Sequence, residues 1–332
     1  MSFILCRRML WALAVAVSAA AIAASHGLLV SGVQQRAIIA ELRKDLMEGY
    51  VDADLAKEMD RKLAERSRGI GSGRISFGPS FADDLNDDMG SIVRDAHLRV
   101  TYTVFEDFET EYEMPPSEER DRERQLRKAD HFGFTSVEIL AGNIGYIRLD
   151  SFDPSGFAAR TLAAAMDRIA PTRALILDLR ENGGGYPAMC LLMAGYFFDH
   201  PVHWADEYSR DDVDELWTDE TVKGRRYLGK PVYILTSHET FSAAEEFSYQ
   251  MKNLKRATIV GETTGGGANG GEDRHLSAHF LLFLPMERNV SPDTGTNWEG
   301  VGVQPDVRVP AEQALAKALE LGSPAGSHSR LL

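Results

Sequence analysis

The stretch ALILDLRENGGG, residues 174–185, decides the fold class of this 332-residue chain. Its first half is a continuous apolar run, the pattern of a strand that is buried on both faces of a sheet. Three glycines then end the strand in a tight turn. The apolar segment AMCLLMAGYFF, residues 188–198, follows the turn and is predicted to be a helix. The stretch therefore predicts the strand, turn and helix that repeat in an α/β sheet.

The segments on both sides repeat this unit. They are the strands VEIL (137–140), IGYIRLDSF (144–152) and PVYILTS (231–237), and the alanine-rich helix FAARTLAAAMDRIA (157–170). Alternating strands and helices are typical of an α/β layer structure with crossover helices. We assign this structure to residues 133–312 and expect a C-terminal helix and tail at residues 313–332.

A different pattern, with apolar residues four apart, occupies the chain before this region. Its two apolar stripes are Ile38, Leu42 and Leu46, and then Leu55, Met59 and Leu63. They predict two amphipathic helices joined near Gly49, and a third short helix is expected after the glycine-rich loop that follows. The alternation in DAHLRVTYTVF, residues 95–105, predicts a strand. We therefore expect a small, mostly helical N-terminal domain over residues 34–105.

A charged segment at residues 106–132 separates the two regions. It contains few apolar side chains and a dense mixture of both charges. This composition favours a solvated linker or an exposed helix, and a mobile flap over a binding site is the alternative.

The first 24 residues predict export. Arg7 and Arg8 precede an apolar run at residues 9–24, which contains small residues that suit a cleavage site. We expect a signal peptide that is removed, with an uncleaved membrane anchor as the alternative, and a periplasmic or extracellular location. Cys6 lies inside this leader, so Cys190 has no partner for an internal disulfide.

The overall charge argues against two classes of partner. The chain has 36 basic and 50 acidic side chains, which gives a net charge of −14. Because this charge repels nucleic acid and anionic lipid headgroups, we expect neither as a partner. Membrane attachment is expected only through an uncleaved N-terminal anchor.

Ser242 lies in TSHETFSAAEEF, residues 236–247, where a strand is predicted to turn into a helix. Ser242 and Glu245 match the capping box, in which each side chain satisfies the other residue's backbone N–H. A nucleophile displayed at a helix N-terminus is the other interpretation. Two glycine tracts, at residues 183–185 and in GETTGGGANGG (261–271), lack the Lys-Ser or Lys-Thr of a phosphate-binding loop.

Histidine is the natural general base for such a serine, and sequence proximity favours His238. His200 and His203 form an H-x-x-H pair, but Pro201 breaks the helix that would align them on a metal. The motifs C-x-x-C and H-E-x-x-H do not occur in the sequence. We expect neither a metal nor a cofactor.

Several segments together resemble peptidase family S41, the C-terminal processing protease and tricorn group. They are GYVDADLAKEMDRKL, DAHLRV, GNIGYIRLDSF, DLRENGGG, TFSAAEEF, RATIVGETTGGG and NWEGVGVQPDV. Within the family, the chain is most similar to the branch that includes the tricorn core and the repeats of interphotoreceptor retinoid-binding protein. The resemblance implies a crotonase-like spiral of β-β-α units with a small helical N-terminal domain. An inserted PDZ domain is not expected, because residues 98–136 are too few to hold one.

The same resemblance implies the site residues. Ser242 corresponds to the nucleophile, and the backbone N–H groups of Gly184 and Ala243 correspond to the oxyanion hole. Gly267 occupies the place of the lysine base of the processing proteases, so the resemblance to the tricorn branch nominates His97, in DAHLRV, instead. Glu299 lies where the family has its acid. Asp95 competes with Glu299 for the role of orienting the imidazole. Lys252 and Lys255, just beyond Ser242, are expected to lie more than two turns along the helix, too far to replace the lysine base.

These assignments imply an exported serine peptidase that cleaves short or unfolded polypeptides through an acyl-enzyme with a Ser-His-Glu triad. A non-catalytic binding protein for an apolar small ligand, such as a retinoid or lipid, is the alternative, since the retinoid-binding repeats share the likeness. Fold alone does not choose between these functions.

Overall fold

The structure, a computed structural model, describes residues 28–103 and 116–323. The predicted leader at residues 1–24 lies outside the described residues, as do residues 104–115 of the charged segment and 324–332 of the tail. Among the helices described, none is both long enough and apolar enough to cross a bilayer.

The elements fall into two groups along the chain. From residue 28 to residue 103 they are β1 (Leu29–Ser31), α1 (Gly32–Gly49), α2 (Ala53–Gly69), β2 (Ile75–Phe77), α3 (Gly78–Gly90) and β3 (Arg99–Tyr102). From residue 116 they are α4 (Pro116–Ala129), β4 (Phe134–Leu140), β5 (Ile144–Leu149), α5 (Ser155–Ile169), β6 (Ala174–Asp178), α6 (Pro187–Ala194), β7 (His203–Tyr208), β8 (Val213–Trp217), β9 (Val232–Thr236), α7 (Ala243–Asn253), β10 (Thr258–Gly261), β11 (Asn269–Ser277), β12 (Phe280–Val290), β13 (Val307–Arg308) and α8 (Ala311–Gly322).

The chain forms two compact units. Of the described residues, the first unit contains 28–103 and Gly271–Met286, and the second contains 116–270 and 287–323. Gly271–Met286 thus packs in the first unit, although it lies within the range 133–312 that the sequence assigns to the α/β region.

The first unit is mainly helical, as predicted. Helix α1 begins at a capping box in which the side chains of Ser31 and Gln34 bond each other's backbone N–H groups. Helix α2 begins at Asp52, whose carboxylate accepts two backbone N–H groups. The predicted stripes bury Leu42, Leu46 and Met59 completely. Strand β3 pairs with the first part of β12, where Phe280–Phe283 lie opposite Arg99–Tyr102.

The second unit is built on a six-stranded sheet in the order β13-β10-β9-β6-β5-β4. Within this sheet, the neighbouring strands β13, β10, β9, β6 and β5 are all parallel. Strand β4 pairs antiparallel with β5 at the edge. Every residue of β6 is buried, as the apolar run ALILD predicts. The parallel strands end at one edge of the sheet, so the glycine turn after β6 and the turn after β9 emerge side by side.

The hairpin of β7 and β8 was not predicted from the sequence. Its strands pair antiparallel, with Tyr208 opposite Val213, and β7 also pairs with the last residues of β12. The segment contains many acidic residues, and the alternation that marks a strand is weak there. The helix predicted over residues 188–198 is also too long, because α6 ends at Ala194 before Gly195.

The charged segment contains helix α4, which is largely exposed. Its C-terminal turn is fixed to the second unit by Arg127, which forms an ion pair at 2.7 Å with the buried carboxylate of Asp153. The guanidinium also lies 5.4 Å from the ring centre of Tyr186, directly after the glycine turn. Residues 116–129 of the charged segment are therefore helical, and the choice between a linker and a flap stays a prediction.

A buried acid lies in the first turn of α7. Glu246 is 2% exposed, and its carboxylate accepts the indole N–H of the buried Trp204 at 2.7 Å. Burial raises the pKa of Glu246 to about 7, the Trp204 hydrogen bond opposes the rise, and the charge of Glu207 adds to it. The group is thus half protonated near neutral pH.

We expect Glu246→Gln to reduce the fall of stability with rising pH, while Glu207, whose pKa burial also raises to about 7, keeps its own contribution. The pKa of Glu246 is about 7 in the folded protein against 4.5 for the free side chain, so the folded state retains a proton that the unfolded state releases. Wild-type stability therefore falls as pH rises through this range, by a contribution on the order of 3 kcal/mol. Denaturant unfolding at pH 5 and pH 8 measures it. The exposed variant Glu239→Gln should show the wild-type difference in unfolding free energy between pH 5 and pH 8. A Glu246→Gln protein with that same difference would contradict the prediction.

Candidate active site

Ser242 lies where strand β9 has turned into helix α7, directly before the first helical residue, Ala243. Its backbone has φ 53° and ψ −123°, a left-handed conformation that residues other than glycine seldom adopt. The half-buried serine is thus held in a strained conformation at a helix N-terminus, where the backbone N–H groups favour negative charge.

The glycine turn after β6 meets this helix start. A Cβ atom on Gly184 would lie 2.7 Å from the Cβ of Ser242 and 3.1 Å from the backbone nitrogen of Ala243, so no side chain fits at this position. Gly184 also has φ +108°, which favours glycine. The structure therefore brings three of the predicted site residues, Ser242, Ala243 and Gly184, together.

Asn182 holds the glycine turn in place, a role that the sequence analysis missed. Its side-chain oxygen accepts the N–H of Gly184 at 2.8 Å, and its side-chain amide donates to the carbonyl of Leu149 at 2.9 Å. Its own carbonyl accepts the N–H of Phe241 at 3.0 Å. Because the Gly184 N–H is engaged here, it can serve an oxyanion only by sharing or leaving the Asn182 oxygen. Asparagine before glycine is also common in plain turns, which hides this role in the sequence.

Cys190 joins helix α6 to the first turn of α7. Its sulfur lies 3.3 Å from the carbonyl oxygen of Ala243. Burial raises the pKa of the thiol well above its usual value, and the nearby Glu246 adds to the rise, so the group remains a neutral donor. The one cysteine of the described residues therefore has a packing role beside Ser242.

Glu245 joins Ser242 to the second glycine tract. Its fully buried carboxylate accepts the N–H of Ser242 at 2.9 Å, which is the glutamate half of the capping box. The same carboxylate accepts the N–H groups of Gly266 at 2.6 Å and Gly267 at 2.9 Å, and the hydroxyl of Thr264. Burial raises the pKa of Glu245, and these four donors oppose the rise.

The same loop holds Glu299. The N–H of Ala268 donates to the Glu299 carboxylate at 2.6 Å. The buried indole of Trp298 donates to the carbonyl of Gly267 at 2.7 Å. Loop 264–268 is therefore bonded on one side to the helix that begins after Ser242 and on the other side to the segment that carries Glu299.

Gly267, at the position of the family's lysine, contributes only backbone groups to this network. Of Lys252 and Lys255, the two lysines just beyond Ser242, Lys252 is engaged elsewhere. Its ammonium group lies 3.1 Å from the carboxylate of Asp306 and donates to the carbonyl of Gln304 at 2.5 Å.

His97 belongs to the first unit, in the loop before β3. The carboxylate of Asp95 accepts the backbone N–H of His97 at 3.0 Å and the hydroxyl of Tyr50 at 3.1 Å. The imidazole ring centre lies 5.4 Å from that of Phe283. Burial lowers the pKa of His97, and the charge of Asp95 opposes the change. The imidazole is therefore mostly neutral at pH 7, as a general base must be.

The other histidines considered in the sequence lie in acidic surroundings. His238 is 74% exposed and pairs with Glu239 at 2.9 Å and Glu262 at 3.5 Å. The imidazole of His200 lies 2.5 Å from the carboxylate of Asp199.

Comparisons with known proteins identify relatives. The family model described as Peptidase family S41 matches residues 143–309. A probable CtpA-like serine protease of Staphylococcus haemolyticus is 28% identical over 171 residues, which are 52% of this chain and 34% of that protein. A carboxyl-terminal-processing protease of Synechocystis is 30% identical over 191 residues, which are 55% of this chain and 41% of that protein. The chain thus spans about a third to two fifths of the length of these curated relatives.

Solved structures share the fold. A putative peptidase of Parabacteroides merdae has a TM-score of 0.60 at 18% identity, covering 91% of this chain and 100% of that chain. The photosystem II D1 C-terminal processing protease has a TM-score of 0.53 at 17% identity, covering 88% and 98%. The tricorn protease has a TM-score of 0.54 at 16% identity, covering 86% and 35%. At these identities the likeness shows the fold alone, and it confirms the predicted α/β class.

We expect Glu245→Gln to loosen loop 264–268. A glutamine has one acceptor oxygen for the donors that now share two, and its NH₂ group would face backbone N–H groups. The expected cost is about 2–4 kcal/mol, the range for a buried hydrogen-bonded charge that loses its partners. Hydrogen exchange of the amides of Gly266 and Gly267 measures the local effect, and denaturant unfolding measures the global one. Exchange as slow as in the exposed control Glu239→Gln would contradict the role of Glu245.

Proposed function

Because the chain belongs to peptidase family S41, we propose that it is a serine-type peptidase that cleaves peptide bonds through an acyl-enzyme on Ser242. The observation that carries this proposal is the strained Ser242 at the start of α7, packed against Gly184 with the N–H of Ala243 beside it. A backbone conformation of this kind persists only where the surrounding structure enforces it, and such strain is common at reacting groups.

In the proposed reaction, the Ser242 hydroxyl attacks the substrate carbonyl while His97 takes its proton. The N–H of Ala243, with that of Gly184 if it leaves Asn182, stabilises the negative charge on the carbonyl oxygen. His97 then gives the proton to the leaving amine. Water hydrolyses the ester by the same steps, which returns the proton to Ser242. Glu299 is the acid that orients the imidazole and stabilises its charged form.

The base in this proposal is His97 because the lysine of the processing proteases has no counterpart at Gly267. The lowered pKa of His97 keeps its nitrogen available at neutral pH. The Asp95 carboxylate fixes the backbone of the loop through the N–H groups of His97 and Leu98. The mechanism requires His97 and Ser242 to approach to hydrogen-bonding distance when substrate is bound.

The proposed substrates are the C-terminal regions of short or unfolded polypeptides. This class follows the name of one relative, the carboxyl-terminal-processing protease of Synechocystis. We further propose that the protein acts outside the cytoplasm, since Arg7, Arg8 and the apolar run at residues 9–24 have the sequence pattern of an export signal.

We expect His97→Ala to lower kcat on an unstructured peptide by roughly 10²–10⁴, the usual contribution of a general base. Ser242→Ala should abolish turnover. Lys252→Ala and Lys255→Ala serve as controls and should change kcat little. Full activity of the His97 variant would contradict the proposed base, and a wild-type protein that binds apolar ligands without any turnover would favour a carrier instead.

We expect Asp95→Asn to move the acid limb of the kcat/KM profile to lower pH. The charge of Asp95 raises the pKa of His97, so its removal lowers that pKa and leaves the imidazole neutral at more acid pH. The asparagine oxygen still accepts the backbone N–H groups, so the loop should keep its conformation. Glu138→Gln, an exposed control in the second unit, should leave the profile unchanged. A limb that stays in place for Asp95→Asn would show that another group limits activity.

A further inference from the structure

The two-stranded ribbon of β1 and β2 exposes apolar side chains on its outer face. Leu29 lies opposite Phe77, and Ser31 lies opposite Ile75, so these side chains share one face of the ribbon. Ile75 is 66% exposed, Phe77 49% and Leu29 37%, whereas Val30, on the opposite face, is buried in the core. Val33, at the start of α1, is 60% exposed. We call Leu29, Ile75 and Phe77, together with Val33 two residues beyond β1, the ribbon face.

The sequence around the ribbon face differs in charge from the rest of this acidic chain. Residues 28–40 and 66–82 contain four arginines and no acidic residue. Arg66 is paired with Asp84 and Asp88, and Arg36 donates to the carbonyl of Ile70 at 2.8 Å. Arg74 is exposed and directly precedes Ile75. Arg74 therefore places one exposed cation beside Ile75, while Glu41 lines a cleft with Leu29 and Glu65 lines a cleft with Arg74, so the surroundings of the ribbon face are close to balanced in charge, against −14 for the whole chain.

We propose that the ribbon face rests on the headgroup region of a phospholipid bilayer that contains anionic lipid. Apolar side chains flanked by arginine suit this interface, because the apolar groups enter the acyl boundary while the cations meet lipid phosphates. The proposal is independent of the peptidase activity. The repulsion of anionic lipid headgroups that the net charge predicts then applies to the rest of the surface.

The position of the apolar run at residues 9–24 supports this partner. Only residues 25–28 separate the run from Leu29, and the five residue steps from Ala24 to Leu29 span at most about 18 Å when extended. If the run is retained in a bilayer, Leu29 of the ribbon face lies within this distance of its last residue, Ala24. A weak apolar contact by the ribbon face is then enough to keep it on the membrane, because the retained apolar run is the second attachment.

A second copy of the chain is the other possible occupant, and the area argues against it. Four partly exposed side chains offer on the order of 400 Å² of apolar surface, about half of the roughly 800 Å² that each partner buries in a standard protein interface.

The test places a fluorophore on the ribbon of the full chain. In a Cys6→Ser background the remaining Cys190 is buried, so Ile75→Cys can be labelled selectively with an environment-sensitive dye. Lys57→Cys, at an exposed position of α2 in the same unit, is the matched control. The probe is a vesicle of phosphatidylcholine and phosphatidylglycerol containing a lipid with a nitroxide near its headgroup. Circular dichroism checks the fold, and Phe77→Cys replaces Ile75→Cys if that variant does not fold.

We expect emission from position 75 to shift to shorter wavelength and to be quenched about twofold or more, with little change at position 57. Replacing the phosphatidylglycerol by phosphatidylcholine should reduce the quenching. The proposal would be overturned if the protein binds the vesicles while the dye at position 75 keeps the emission of a water-exposed dye. A shift without vesicles that grows with protein concentration would assign the ribbon face to a second copy and overturn it as well.

Discussion

The buried carboxylate of Glu245 is the constraint on which the arrangement around Ser242 depends. A charge in a fully buried position is costly unless hydrogen bonds replace its water. Its donors come from two places, the helix start at Ser242 and the loop that contains Thr264, Gly266 and Gly267. The carboxylate has all of its hydrogen-bond donors only when the helix start and the loop are in contact. The burial of Glu245 therefore depends on the positions of both segments.

The parallel sheet makes this arrangement possible. Strands β6 and β9 are neighbours in register, so the turns that follow them emerge at the same edge. The first turn supplies Gly184, whose missing side chain lets the backbone approach Ser242. The second turn supplies Ser242 with a positive φ, a strain that the packed helices α6 and α7 can hold. The fully buried strand β6 thus gives a rigid support to the glycine turn that follows it and packs against Ser242.

The sequence predicted the parts of the fold that depend on local pattern. Helix α1 was predicted because Leu42 and Leu46 are four residues apart, and α2 because Met59 and Leu63 are. Strand β6 was predicted from its apolar run. The hairpin of β7 and β8 was missed because its acidic side chains hide the alternation. The place of Gly271–Met286 in the first unit was missed because it depends on contacts with residues far away in the sequence.

The site was predictable to a similar degree. The family resemblance nominated Ser242, Ala243 and Gly184, and the structure brings these three together. The links made by Asn182 and Glu245 were not predicted, because an asparagine before glycine and a glutamate three residues after a serine have ordinary uses in turns and caps. Their roles depend on which distant backbone groups reach them. The catalytic roles of Ser242, His97 and Glu299, and the oxyanion role of the Gly184 and Ala243 N–H groups, remain predictions.

The central claim is that Ser242 is an activated nucleophile, and covalent trapping tests it most directly. The folded wild-type chain would be treated with a fluorophosphonate and digested, and the modified residue would be identified by mass spectrometry. We predict one phosphonyl group on the peptide that contains Ser242, with none on Ser242→Ala and much slower modification of His97→Ala. An unmodified wild-type protein, or a modification on a different residue, would contradict the account.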